Sequence, residues 1–418
     1  MNELVIKRSI LGQLKNHLSK KEITLLVGPR QVGKTTLLRF LEQDLIVKGK
    51  KTIFLNLDVE RDFQFVASQQ SLIQHIRLSL GTDGGYVFID EAQRKVDAGR
   101  FFKGIYDMDL PYKFILSGSG SLELKEKIHE SMAGRKRVFE LLPVSFWEFA
   151  AFRTHYHYGD RLLSYLAHDP SQSVSLLEEY MRFGGYPQVI LASNETEKKD
   201  ILNEIYQSYL IRDISFFLGV EKTDAFTNLT RVLAASIGKR TVVSELANTL
   251  GISVPTVKQY LWYLEKTYII HRVTPFFRNP RTEISKMPTF YFYDMGLRKF
   301  AAQEGNEIMG QSGFIFENFV FLLLLEYARD GMHPIRFWRT KSGAEVDFVV
   351  DAVYPVAFEV KYASFREPTI GKSLHSFIKQ YSPPNAYIIT KDYAHKVVVG
   401  KTTVNFMPFH ALPNISLP

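Results

Sequence analysis

The feature that most narrows the fold is Gly28-Pro29-Arg30-Gln31-Val32-Gly33-Lys34-Thr35, which fits G-x-x-x-x-G-K-[ST]. Its flanks decide what it means. Ile23-Thr24-Leu25-Leu26-Val27 precedes it as an apolar β-type run, and Thr36-Leu37-Leu38-Arg39-Phe40-Leu41 follows with apolar residues at helical spacing. Strand, glycine loop and helix together form a phosphate cradle. The glycines let backbone N–H groups close on phosphate oxygens, and the helix start adds its positive end. Lys34 supplies a point charge, and the Thr35 hydroxyl is placed for Mg²⁺. The expected nucleotide contacts are Gly28, Pro29, Arg30, Gln31, Val32, Gly33, Lys34, Thr35 and Thr36.

Further strands follow. Thr52–Asp58 reads as a second buried strand, and residues 68–80 read as a helix. Tyr86-Val87-Phe88-Ile89 runs into Asp90-Glu91, a Walker B pattern. Asp90 is expected to hold Mg²⁺ with Thr35, and Glu91 to polarise the attacking water. Lys113-Phe114-Ile115-Leu116 ends in Ser117-Gly118-Ser119-Gly120-Ser121. A polar tip there would lie between the two motifs, so Ser117 is the expected sensor of γ-phosphate or water, ahead of Ser119. A plain Ser/Gly turn is the alternative. Arg135 stands in Ala133-Gly134-Arg135-Lys136-Arg137, before a fifth strand, Val138–Leu142. It is placed to reach a phosphate, in trans if subunits associate, or to be one of a solvated basic cluster. A trans role requires a homo-oligomer.

Residues 147–235 lose the strand pattern and read as helical lid and linker, with Gly184-Gly185-Tyr186-Pro187 as a structural turn between helices. Arg212 and Asp213 read as a surface ion pair. The segment 225–293 has a helix-turn-helix shape: a helix near 226–237, a second over 243–250, a turn at Gly251, and a third capped by Ser253 with Pro255 in its first turn. Val257, Leu261 and Leu264 share one face of the third helix, leaving Thr256, Lys258, Gln259 and Tyr263 for the other. Tyr268–Val273 and Thr289–Tyr293 are expected to pair as a wing. Residues 239–286 hold eight Lys or Arg against three Glu, a surplus of five positive charges. That favours DNA or another nucleic acid over a purely packing role.

Residues 296–418 begin with a buried helix carrying Glu317. Strands at 335–339, 344–350 and 356–361 follow. Glu359 and Lys361 are two apart and share a face, with Asp347 on the neighbouring strand. This is the layout of restriction-endonuclease-like nucleases. There Glu317, Asp347 and Glu359 would bind a second Mg²⁺ or Mn²⁺, and Lys361 would orient or activate water. An exposed strand with Glu/Lys alternation, or the same fold without cleavage, is the alternative.

The P-loop GPRQVGKTTLL, the strand end IDEAQ, ILSGSGS, AGR followed by ELLPVSFWEF, and GGYP at 184–187 together resemble one family. It is the bacterial and archaeal AAA-superfamily ATPases carrying a C-terminal domain of unknown function, and the resemblance covers nearly the whole chain. It implies a five-stranded AAA-type parallel sheet with an extra strand between the Walker motifs, and with the segments read above the expected α/β architecture is that P-loop sheet over 1–150, a helical lid over 151–224, a winged helix-turn-helix over 225–295, and a restriction-endonuclease-like α/β domain over 296–418. The family's Walker roles fall on Gly33, Lys34, Thr35, Asp90 and Glu91.

Composition limits the rest. The 418 residues suit two to four domains, and 45% hydrophobic content supplies ordinary cores. With no cysteine there is no disulfide, thiolate zinc site or cysteine nucleophile, which fits a cytoplasmic protein. No secretory leader is expected from Met1–Arg8. The longest apolar run, Phe319–Leu325, falls far short of the roughly twenty residues that cross a bilayer, so no membrane role is expected. A net charge of +8 leans toward an anionic partner. The expected function is ATP binding and hydrolysis coupled to nucleic-acid binding or processing. The alternative is an ATP-dependent switch or adaptor for a protein partner, with a catalytically dead C-terminal scaffold.

Overall fold

The computed structural model describes residues 6–119, 132–208, 222–276, 287–304, 312–331 and 333–415. Five N-terminal strands form one parallel sheet: β1 (Ile23–Gly28), β2 (Thr52–Asn56), β3 (Gly85–Asp90), β4 (Tyr112–Ser119) and β5 (Lys136–Glu140), in the order β2-β3-β4-β1-β5. β1 is buried at every position, as a parallel strand covered on both faces must be. Parallel strands put all their carboxyl ends along one edge. The P-loop after β1, the acid pair at the end of β3 and the last residues of β4 therefore lie side by side. β4 stands between β1 and β3, with Leu26 opposite Ser117 and Ile89 opposite Leu116. The helix Lys34–Val47 starts directly from Gly33, whose φ of 91° is a conformation glycine adopts without strain.

Beyond β5 the chain turns helical, as its apolar spacing predicts. Ser145 caps the helix Phe146–Arg153 in a capping box with Glu148. Helices Leu162–His168, Pro170–Phe183, Pro187–Leu191 and Glu195–Ile205 follow. Arg212 and Asp213 lie outside the described residues. Helices Thr223–Ala235, Val243–Leu250 and Val254–Lys266 come next, and Ser253 caps the last by accepting from the Thr256 N–H at 3.2 Å.

The hairpin β6 (Ile270–Pro275) and β7 (Thr289–Phe292) pairs antiparallel, but it is not a free-standing wing. The end of β6 runs parallel to β8 (Ile335–Arg339) and so joins β9 (Glu345–Val350), β10 (Val356–Lys361), β11 (Asn385–Thr390), β12 (His395–Val399) and β13 (Thr402–Pro408). The result is an eight-stranded sheet of order β12-β13-β11-β10-β9-β8-β6-β7. Sequence could not show this, because the bridge is only the pairs Thr274–Arg336 and Pro275–Phe337. The helix Ser312–Gly331 packs on this sheet and against β7, and Lys372–Tyr381 packs on β9 and β10.

One hydrophobic core runs from Val32 in the P-loop to Phe358 in β10. Phe146 stands at the junction. Its ring lies 5.7 Å from Tyr180, 5.2 Å from Phe319 and 5.5 Å from Phe409, all edge-on. Among the described residues no helix is long and apolar enough to cross a membrane.

Candidate nucleotide site and C-terminal acidic cluster

The local sequence builds the P-loop as its motif predicts. Gly28 is needed because a Cβ there would collide with the Leu141 carbonyl. Lys34 is 5% exposed, and its ammonium donates to the Gly28 carbonyl at 3.1 Å and the Pro29 carbonyl at 2.7 Å. Burial pulls its pKa down to about 8, against the pull of Glu91 and Asp90 and with a small push from Arg30. Thr35 donates its hydroxyl to Asp90 Oδ2 at 2.6 Å, so the two expected Mg²⁺ ligands already touch. Both are oxygen donors, the set a hard cation such as Mg²⁺ takes. Thr36 is exposed in the same turn, while Pro29 and Val32 are buried and Arg30 and Gln31 half-buried.

Asp90 is 1% exposed. Its Oδ1 accepts from the Ser117 hydroxyl and, at 3.1 Å, from the Glu91 N–H. Ser117 is fully buried and also lies 3.4 Å from the Glu91 N–H. It therefore braces the acid pair. Glu91 turns out of the strand at φ 55°. Burial holds its carboxyl above the usual carboxylate range, with Lys34 opposing and Asp90 reinforcing the shift. The Gln93 amide donates to Glu91 Oε2 and fixes its direction.

Arg135 stands elsewhere. The Ile23 N–H donates to its carbonyl at 2.9 Å, which puts it beside the first residue of β1. The P-loop leaves the other end of that strand, roughly 16 Å away at 3.3 Å per residue. Its side chain pairs with Asp107 at 2.7 Å. Arg135 thus stands away from its own chain's phosphates, which leaves a role across subunits or a place in a solvated basic cluster.

Sequence reading missed the clamp on the P-loop. Arg8 donates to the Val32 carbonyl at 3.0 Å, to the Leu142 carbonyl at 2.6 Å, and to Glu148 Oε2 at 2.9 Å. Both charged side chains are only 9% exposed. The partner of Arg8, Glu148, lies 140 positions away and no local signal marks the pair.

Asp347 on β9 and Glu317 on the helix Ser312–Gly331 each feel neighbouring carboxylates. Burial, reinforced by neighbouring carboxylates, raises Asp347 to about 7 and Glu317 well above its ordinary value. Each acid has a protein partner. Tyr291 of β7 donates to Glu317 Oε1 at 2.6 Å, the Val360 N–H donates to Asp347 Oδ2 at 2.7 Å, and Lys361 pairs with Glu359 Oε1 at 2.9 Å. Burial opposes the charge on Lys361, but Glu359, Asp347 and Glu317 outweigh it and raise its pKa. Glu359 Oε2 is buried with no hydrogen-bond partner. Among the described residues, however, no three acidic or histidine side chains are gathered closely enough to hold a metal. The expected three-carboxylate ligand set of Glu317, Asp347 and Glu359 is therefore not assembled as a metal-holding group among the described residues.

The expected free face of the helix Val254–Lys266 is also smaller than predicted. Tyr263 is 7% exposed and accepts from Gln259, while Lys258 and Gln259 face out.

Comparison with known proteins bears on the N-terminal part. Residues 20–150 match the family model described as an AAA domain. Residues 174–307 and 312–412 match two models, each described as a domain of unknown function. An uncharacterized protein of Mycobacterium tuberculosis is 27% identical over 385 residues, covering 89% of this chain and 77% of its own. An uncharacterized protein of Methanocaldococcus jannaschii is 26% identical over 358 residues, covering 83% and 76%. Among solved structures, Cdc6p from Pyrobaculum aerophilum aligns over 76% of this chain and 95% of its own, at 13% identity and a TM-score of 0.27. AMPPCP-bound DnaA from Aquifex aeolicus aligns over 63% and 89%, at 13% identity and a TM-score of 0.25. At those scores the structural likenesses add no argument. The family match, the sheet order and the P-loop identify residues 20–150 as an AAA-type P-loop ATPase fold.

Proposed function

We propose that this protein is an ATP-hydrolysing switch whose C-terminal half meets nucleic acid. The observation that carries the first part is the hydrogen-bond chain Thr35–Asp90–Ser117, with Glu91 fixed one residue beyond. Thr35 and Asp90 are the residues that would hold Mg²⁺, which supplies charge neutralisation across the phosphates when bound. Lys34 would leave the Gly28 and Pro29 carbonyls for the phosphate oxygens, and the Gly28–Gly33 backbone would cradle them. Glu91 is the base that would take the proton of the attacking water, and its raised pKa brings it closer to the working range of such a base. Ser117 and Gln93 keep the two carboxylates aimed.

Exposed cations support the second part. Lys239 and Arg240 between two helices, Lys258 on the helix Val254–Lys266 and Arg272 on β6 all face solvent. A phosphate backbone is the partner such a surface suits.

A second reading keeps the ATP switch but gives it a protein partner, with the C-terminal sheet as scaffold. It is favoured by the acidic cluster, whose carboxylates are tied to Tyr291, Val360 and Lys361 and do not converge as ligands. No step is derived through a metal there.

One experiment separates the readings: ATP turnover with and without DNA, alongside DNA binding at low salt, for wild type and Asp347→Asn. DNA that binds and changes turnover supports the first reading. Turnover indifferent to DNA, with no binding at low salt, supports the second. Metal-dependent cutting by wild type that Asp347→Asn loses would restore the nuclease expectation.

A further inference from the structure

The turn Gly184-Gly185-Tyr186-Pro187 lies where three parts of the chain meet. Asp294 follows β7 and begins the helix Met295–Ala301. Its Oδ1 accepts from the Leu297 N–H at 2.7 Å, an ordinary helix cap. Its Oδ2 reaches 109 positions back and accepts from the Gly185 N–H at 2.6 Å. The Gly185 carbonyl in turn accepts from the Val144 N–H at 2.7 Å, and the Tyr180 hydroxyl donates to the Val144 carbonyl at 2.8 Å.

From that turn two routes lead to the P-loop. Pro187 brings its ring carbon to 3.9 Å from where a Cβ on Gly33 would stand. Val144 continues the Leu142–Pro143 segment, whose Leu142 carbonyl Arg8 holds while also holding the Val32 carbonyl. The packing leaves no slack. A Cβ on Gly184 would strike the Asp294 carboxylate, one on Gly185 the Val144 carbonyl, and one on Gly296 the Phe183 carbonyl. Asp294 itself is 3% exposed. A residue needed only to cap a helix could sit at the surface, where it would not lose hydration.

We propose that Asp294 is a positioning residue for the nucleotide site. It holds the Gly184–Pro187 turn against the P-loop, so that the hairpin and the C-terminal sheet set how readily the loop accepts nucleotide. This inference rests on the reading of the P-loop as an ATP site. A loop that spends less time in its binding-competent form shows weaker apparent affinity in proportion.

The test is MgATP affinity and steady-state kinetics for wild type, Asp294→Asn and Glu304→Gln. Glu304 pairs with Arg298 farther along the same helix and does not touch the turn. Asp294→Asn should weaken affinity and raise KM at least about fivefold with kcat nearly kept. Glu304→Gln should lower thermal stability and leave affinity unchanged. Coupling is reciprocal, so MgATP should slow amide exchange at Gly185 and Leu297 in the wild type, a readout that does not depend on any variant folding. Wild-type affinity in Asp294→Asn, or exchange at Gly185 that ignores MgATP, would overturn the proposal. Equal loss of affinity in Glu304→Gln would reduce it to general destabilisation. A wild type that binds no MgATP would defeat the nucleotide reading, and this inference with it.

Discussion

Lys34 shows how the site works at the scale of one residue. Folding buries its ammonium among carbonyls, and its pKa falls from 10.5 to about 8. The folded chain then binds fewer protons than the unfolded chain between those values. Lys34 therefore disfavours folding at neutral pH by about 3 kcal/mol, at 1.36 kcal/mol per pKa unit, and this burden lifts as pH rises through 8 toward 10.5. Phosphate oxygens would restore the charge. We expect MgATP binding between pH 8 and 9 to take up a proton, seen as a calorimetric enthalpy that varies with buffer ionisation enthalpy. Lys34→Ala should lose both the uptake and most of the affinity. No buffer dependence would mean that Lys34 is already fully charged or does not meet phosphate. Lys34, Thr35, Asp90 and Glu91 were legible in the sequence because a phosphate loop is local: eight residues and a strand end carry the chemistry. Arg8 and Asp294 were not, since each acts on a backbone group or acid more than 100 residues away.

At the scale of elements, apolar periodicity located the five strands of the P-loop sheet and the strands up to Lys361, because burial of one face decides it, but it gave no reading of the strands Asn385–Thr390, His395–Val399 and Thr402–Pro408 or of the helix Lys372–Tyr381. Tyr263 defeated that reasoning. Its hydroxyl finds Gln259, which allows the ring to be buried on what looked like the polar side. The hairpin β6–β7 was legible as a pair and illegible as a sheet edge, since two residues of parallel bridging leave no pattern. The exposed face that remains makes a prediction about salt. If Lys258 and Arg272 meet phosphates, log affinity for DNA should fall linearly with log salt. Replacing both with Ala should flatten the slope by roughly two, about one per lost contact, with similar effect on unrelated sequences. A slope unchanged by the double substitution would move the contact elsewhere. β5 carries another prediction. Arg135 stands at its amino end, away from its own P-loop, so any catalytic role must be served to a neighbouring copy. Arg135→Ala and Lys34→Ala proteins, each inactive alone, should then regain part of the turnover when mixed. A monomer that is fully active by light scattering and turnover would rule this out.

At the scale of the whole molecule, one core joins the ATPase fold to the C-terminal sheet through Phe146, Tyr180, Phe319 and Phe409. This junction could not be read along the chain, because aromatic residues in separate segments look alike until they are packed together. Such a junction can serve the proposed switch only if the event at the P-loop is hydrolysis. That condition is the central claim, and Glu91 tests it. The decisive measurement is single-turnover hydrolysis of MgATP by wild type and Glu91→Gln, each at saturation after its affinity has been measured. Removal of a general base typically slows the step by about 10²–10⁴-fold. The account predicts a loss of that size with affinity kept within a few fold. Turnover by Glu91→Gln equal to wild type, at equal occupancy, would contradict it.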